Sequence, residues 1–170
     1  AQQLALVGEV GYTFLDLPSG ILFDGPGTAL PALASASNAS GGSVQQDGYA
    51  TQHSWGYRAV ARLDYLSLLG AVNVSPRAVF SHDVKGVSPT FNEGAQAVTL
   101  GVNFNYQQVY TVDVSYTSFF GGREYCGSDN PNPALAGSNG LSSGQSQDYC
   151  TAANPLKDRD FIALTMTYAF

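Results

Sequence analysis

The chain has 170 residues, 44% hydrophobic and 12% aromatic but only 12% charged, with a formal charge of -6 and a pI near 4.5. That balance leaves nothing to neutralise a run of phosphates and excludes nucleic acid as a partner. A mean hydropathy of -0.04, with no apolar run of the roughly 20 residues a membrane helix needs, excludes a transmembrane helix but not a transmembrane strand.

Period-two alternation marks six strands, in the approximate ranges 4–14, 55–68, 71–82, 95–106, 110–120 and 159–170. The first puts Leu4, Leu6, Val10, Tyr12 and Phe14 on one face and Val7, Glu9, Gly11 and Thr13 on the other. Residues 15–54 follow, rich in Pro, Gly, Ser and Ala and without periodicity, and read as a long loop in which 27–36 has the apolar content for a helical turn. The second strand turns Trp55, Tyr57, Ala59, Ala61, Leu63 and Tyr65 one way and Arg58, Val60, Arg62 and Asp64 the other. A tight turn at Leu69-Gly70 leads to a third strand whose Pro76 has no N–H to donate, which predicts a bulge or a gap in pairing. After a medium loop comes the fourth strand, with Val98, Leu100, Val102, Phe104 and Tyr106 opposite Thr99, Gly101, Asn103 and Asn105. A three-residue turn, Gln107-Gln108-Val109, joins it to the fifth. The second long loop, 121–158, holds Cys126 and Cys150, which read as a disulfide; the alternative is two free thiols. Closing such a loop is worth on the order of 3 kcal/mol and requires an oxidising compartment.

The last strand sets Ile162, Leu164, Met166, Tyr168 and Phe170 against Ala163, Thr165, Thr167 and Ala169. A bulky apolar face, a small polar face and a terminal aromatic suit the closing strand of an antiparallel transmembrane β-barrel. Connections run long, short, medium, short, long, so every long one falls on one rim and both tight turns on the other, as in the bacterial outer membrane. An aromatic girdle is expected from Tyr12, Phe14, Trp55, Tyr57, Tyr65, Phe80, Phe104, Tyr106, Tyr110, Phe120, Tyr168 and Phe170. Six strands are fewer than the eight of the smallest closed barrels. The expectation is therefore that residues 1–170 are the C-terminal segment of one larger barrel rather than a share of a multi-chain one.

The run Gln3 to Gly11, the block Ser75 to Val84, the stretch Leu100 to Tyr106 and the ending Arg159 to Phe170 together resemble the C-terminal part of a proteobacterial outer-membrane family known only as domain of unknown function thirteen-oh-two. The resemblance covers nearly the whole chain and implies the last third of a barrel of several hundred residues. It implies no substrate and no catalytic residue.

Nearly every strand charge lies on the inward face: Glu9, Arg58, Arg62, Asp64, Arg77 and Asp113. A two-residue turn at Leu69-Gly70 sets Arg62 opposite Arg77 and Arg58 opposite Ser81, and the three-residue turn sets Asn103 opposite Asp113. These charges read either as an arginine wall, faced by acids across the lumen, that sets the field in a solute pathway, or as a salt-bridge ladder in a closed barrel. Ser81-His82-Asp83 is no catalytic group, because neighbours in a strand point to opposite faces. His53 reads as a loop residue without an acidic neighbour, and Asp129, Asn130 and Asn132 as a chance polar cluster rather than a calcium site. The functional expectation is a passive outer-membrane channel or uptake protein for small or amphipathic solutes, with no enzyme activity, cofactor or metal. The alternatives are a non-conducting structural or docking barrel of the cell envelope and, further off, a surface lipid hydrolase. Expected partners are the lipid bilayer, the barrel-assembly machinery through the C-terminal strand, and an envelope protein or further copies of the chain.

Overall fold

Residues 1–19, 21–25, 48–128, 148–152 and 154–170 are described by the computed structural model, 126–128 and 148–152 as backbone only. They form eight strands: β1 (Gln3–Phe14), β2 (His53–Leu69), β3 (Val72–Lys85), β4 (Ala95–Tyr106), β5 (Tyr110–Gly121), β6 (Glu124–Ser128), β7 (Asp148–Ala152) and β8 (Phe161–Tyr168). Six of these make one antiparallel sheet in the order β1-β2-β3-β4-β5-β8, with β1 and β8 at its edges, while β6 and β7 pair with each other. The protein is all-β, and the six strands read from alternation are the six of this sheet. The β6–β7 pair is a correction to the reading of 121–158 as an unbroken loop. Five-residue strands without strong alternation leave no period to detect.

The registers follow from turn chemistry. Arg62 lies opposite Arg77 and Arg58 opposite Ser81, as the turn arithmetic requires, yet the turn itself is Gly70-Ala71, closed by Leu69 and Val72. Gly70 takes a φ of 68°, as the first position of a type II′ hairpin turn requires. Between Tyr65 and Leu69 the sheet shifts register, and four steps of β2 span only two of β3. Ser67, at φ 53°, absorbs the surplus and gives its N–H to Asn73 Oδ1 at 2.9 Å. At Pro76 the pairing toward β2 skips from Arg62↔Arg77 to Tyr65↔Val74 with no change of register, while Pro76↔Val102 continues the pairing with β4. The proline makes a gap, not a bulge.

At the other tight turn Gln107 and Gln108 both have positive φ, and Asn105 Oδ1 accepts the Gln108 N–H at 3.0 Å. The register that follows places Asn103 opposite Asp113.

The three longer connections all leave the opposite end and bind one another there. Thr51 N–H donates to Val87 O, Gly122 N–H to Gly94 O and Arg123 N–H to Glu93 O, and within the first connection Ala50 N–H donates to Phe23 O. Among the described residues Val87 and Tyr125, 2% and 4% exposed, form the buried apolar cluster. The tightest burial thus lies in the rim connections, whereas Leu6, Leu100, Ile162 and Met166 on the sheet stand open. The stretch 27–36 and Asp129, Asn130 and Asn132 lie outside the described residues.

Candidate functional site

Alternation and register sort the sheet into rows of opposite character. One runs Leu6–Ala61–Ala78–Leu100–Tyr116–Ile162 and its neighbour includes Leu4, Leu63, Pro76, Val102, Val114 and Leu164, with no charge in either. At the tight-turn end Tyr106, Tyr110, Tyr168 and Phe170 form a chain of ring contacts at 6.4, 5.1 and 6.2 Å between centroids. At the other end stand Tyr12, Phe14, Trp55, Tyr57 and Phe80, and two histidines that residue-type reasoning leaves out meet four of these rings, Tyr12 and Phe14 by His53 and Tyr57 and Phe80 by His82. His53 opens β2, not a loop, and its Nδ1 lies 2.6 Å from the Tyr12 hydroxyl, while His82 meets Tyr57 edge-on at 5.6 Å. Tyr65 and Phe104 sit one row in from the tight-turn aromatics, beside Val74, and Phe120 is paired with Gln96 near the rim.

The other face carries every strand charge named above. Arg77 reaches across β4 to Asp113 on β5 and binds it with both terminal nitrogens, at 2.5 and 2.8 Å. The crossing is possible because Gly101 lies between them: a methyl group there would stand 2.9 Å from the Arg77 Cζ. Asn103 adds a bond to Asp113 at 3.3 Å. Two bonds from a planar guanidinium to one carboxylate fix both partners, which a lysine in place of Arg77 cannot do. Arg62 Nε donates to Asp64 at 2.9 Å, and the Ser75 hydroxyl donates to the same carboxylate at 2.6 Å. The acids that answer these two arginines therefore sit on the same sheet as the arginines. For Arg77 the physical reason is Gly101, whose missing side chain lets an acid two strands away reach the guanidinium.

Above these pairs a largely apolar row crosses the polar face: Val7, Val60 and Val79, continued by Thr99 and Thr117, whose hydroxyls bond each other, and by Phe161. The Phe119 ring, also on this face, lies 6.1 Å from Phe161. Next comes Glu9 opposite Arg58, both exposed, and Arg58 opposite Ser81. The face is thus layered: ion pairs toward the tight turns, an apolar belt, then a second charged row toward the long connections. Reading residue types strand by strand missed the belt; laying Val7, Val60 and Val79 side by side in the register exposes it.

Ser81 and His82 point to opposite faces, and the Asp83 carboxylate is engaged by the Asn92 N–H at 2.9 Å. Gly140-Leu141-Ser142-Ser143-Gly144 has the G-x-S-x-G spacing, but it stands in a Gly/Ser-rich stretch outside the described residues, and spacing alone assigns it nothing. At the rim, Asp160 accepts the Tyr116 hydroxyl and the Phe119 N–H, and these bonds hold its carboxyl below the ordinary carboxylate range. Among the described residues no cluster of His, Cys, Asp and Glu is placed to hold a metal ion.

A family model described as a protein of unknown function (DUF1302) matches residues 1–170. No curated protein and no solved structure matches the chain.

Proposed function

The chain belongs to the DUF1302 family, and we propose that its six-stranded sheet is part of the wall of an outer-membrane β-barrel that passes small or amphipathic solutes without catalysis. The carrying observation is the division of the sheet into an apolar face whose middle rows hold no charged residue and a face holding Glu9, Arg58, Arg62, Asp64, Arg77 and Asp113. Lipid selects the first, and water in a pathway tolerates the second. Two edge strands would leave backbone groups unsatisfied in lipid, so further strands must close the wall. The apolar belt between two charged rows favours solutes with both apolar and polar parts.

A non-conducting barrel is the second reading, favoured by the bidentate Arg77–Asp113 pair, which is a structural clasp as much as a lining. Arg62 decides between them, because its side chain stays 53% exposed despite its pairing. In planar bilayers under a salt gradient, Arg62→Glu is expected to move the reversal potential toward cation preference. A protein that conducts nothing before and after the change would sink the channel reading and leave the structural one.

The disulfide belongs to the same reading. Cys126 and Cys150 are direct partners in the β6–β7 register. Opposed residues of an antiparallel pair have Cα atoms about 4.5–5.5 Å apart, within the roughly 4.4–6.8 Å that a disulfide spans. Alkylation of the unfolded, unreduced protein is expected to add no mass. Two alkyl groups added without reductant would show free thiols.

A further inference from the structure

The connection from β3 to β4 does not leave the sheet. Phe91 bends back onto the polar face and lies over two glycines, and a methyl group at Gly11 or at Gly56 would stand 2.8 or 2.9 Å from its ring. Any larger residue at either position would fill the notch the ring occupies. Two further sets of contacts pin the same segment. The Thr13 and Thr90 hydroxyls meet at 2.8 Å, Ser54 donates to Ser88 at 2.8 Å, and Ser88 and Thr90 meet at 3.1 Å. These hydroxyls form one chain from β1 through the segment to β2, and Ser54 and Ser88 are buried at 0% and 4% exposure. At the base of the segment, Asp83 accepts the Asn92 N–H and Glu93 accepts the Gly86 N–H, both at 2.9 Å. A connection that only joined two strands would need none of this.

Resting on the pathway reading above, we propose that residues 86–94 are a fixed constriction folded over the polar face at the long-connection rim, and that Phe91 sets its width. Thr13, Ser54, Gly11 and Gly56 share the face of Glu9 and Arg58, so the strap stands in the way of a solute before it meets that charged row. Three independent sets of pins make it a rigid restriction rather than a swinging lid. Selection there is by size and by tolerance of an aromatic ring beside hydroxyls, since the Asp83 carboxylate is held by the Asn92 N–H and the Glu93 carboxylate by the Gly86 N–H and the Arg123 guanidinium.

The test uses the full-length protein in planar bilayers, with heat-modifiable gel mobility as the check that each variant is folded. Phe91→Ala is expected to raise single-channel conductance by roughly half or more, because the ring is the bulkiest group at the narrowed level. A Thr13→Cys, Thr90→Cys pair, made with Cys126→Ser and Cys150→Ser and then oxidised, is expected to leave conductance as it was, since the strap is already seated. Conductance unchanged in folded Phe91→Ala overturns the constriction alone. A fall in conductance on oxidising the cysteine pair overturns its fixed character. A parent protein that never conducts overturns the pathway reading, and the constriction with it.

Discussion

Leu100→Arg is expected to block stable insertion, whereas Thr99→Arg, one residue away at the same depth, is expected to be tolerated. Leu100 lies in a middle row of the apolar face, with Ala78 and Tyr116 beside it, and is 56% exposed on the isolated sheet. If lipid covers that face, a guanidinium near the midplane costs about 2–4 kcal/mol, a large share of the stability of a whole domain. Thr99 points the other way and shares only a hydroxyl contact with Thr117 at 2.9 Å. Its replacement forfeits about 1 kcal/mol and leaves the new charge in water. Urea titration of the protein folded into vesicles measures both. Equal losses at the two positions would refute the assignment of faces, since a soluble sheet exposed on both sides has no reason to tell them apart.

Asp113→Ala carries the second large effect. Removing the carboxylate takes both charge-assisted bonds from Arg77, whose side chain is 29% exposed. The expected loss is about 1–3 kcal/mol, below that of a fully buried pair because solvent still reaches both groups. In double-mutant cycles, Arg77→Ala with Asp113→Ala is expected to show coupling on the order of 1 kcal/mol or more, and Arg62→Ala with Asp64→Ala less than about half of that. The contrast rests on geometry: one pair is bidentate and half sheltered, while the other holds one ion-pair contact with its arginine mostly in water. Coupling of equal size in both cycles would mean that the crossing over Gly101 contributes nothing.

Much of the sheet was legible because period two is a strong signal and a turn of known length fixes pairing. Arg62 against Arg77 and Asn103 against Asp113 both follow from counting outward from a turn. The count succeeded at Arg62 although the turn lies one residue further on, because the irregularity around Ser67 restores the register. What escaped depends on empty space or on folding back. The Arg77–Asp113 bond needs Gly101 to have no side chain, and no pattern of residue types announces an ion pair that skips a strand. The seating of Phe91 on Gly11 and Gly56 joins residues far apart in the chain, and each looks ordinary in its own segment. His53 and His82 escape because a girdle sought in Tyr, Phe and Trp leaves histidine out, although its ring packs as theirs do.

The arginine that lies across β4 also tests how three strands were threaded. Sliding β4 by two residues would bring Asn103 or Thr99 beneath the guanidinium in place of Gly101, and a side chain there would lift Arg77 away from Asp113. Sliding it by one would turn its apolar residues to the polar face. A strand rich in Val, Asn and Gly offers few other marks by which a wrong alignment could be told from the right one during assembly. The clasp closes only when β3, β4 and β5 are all correctly aligned, so a misthreaded sheet lacks it and remains easier to undo.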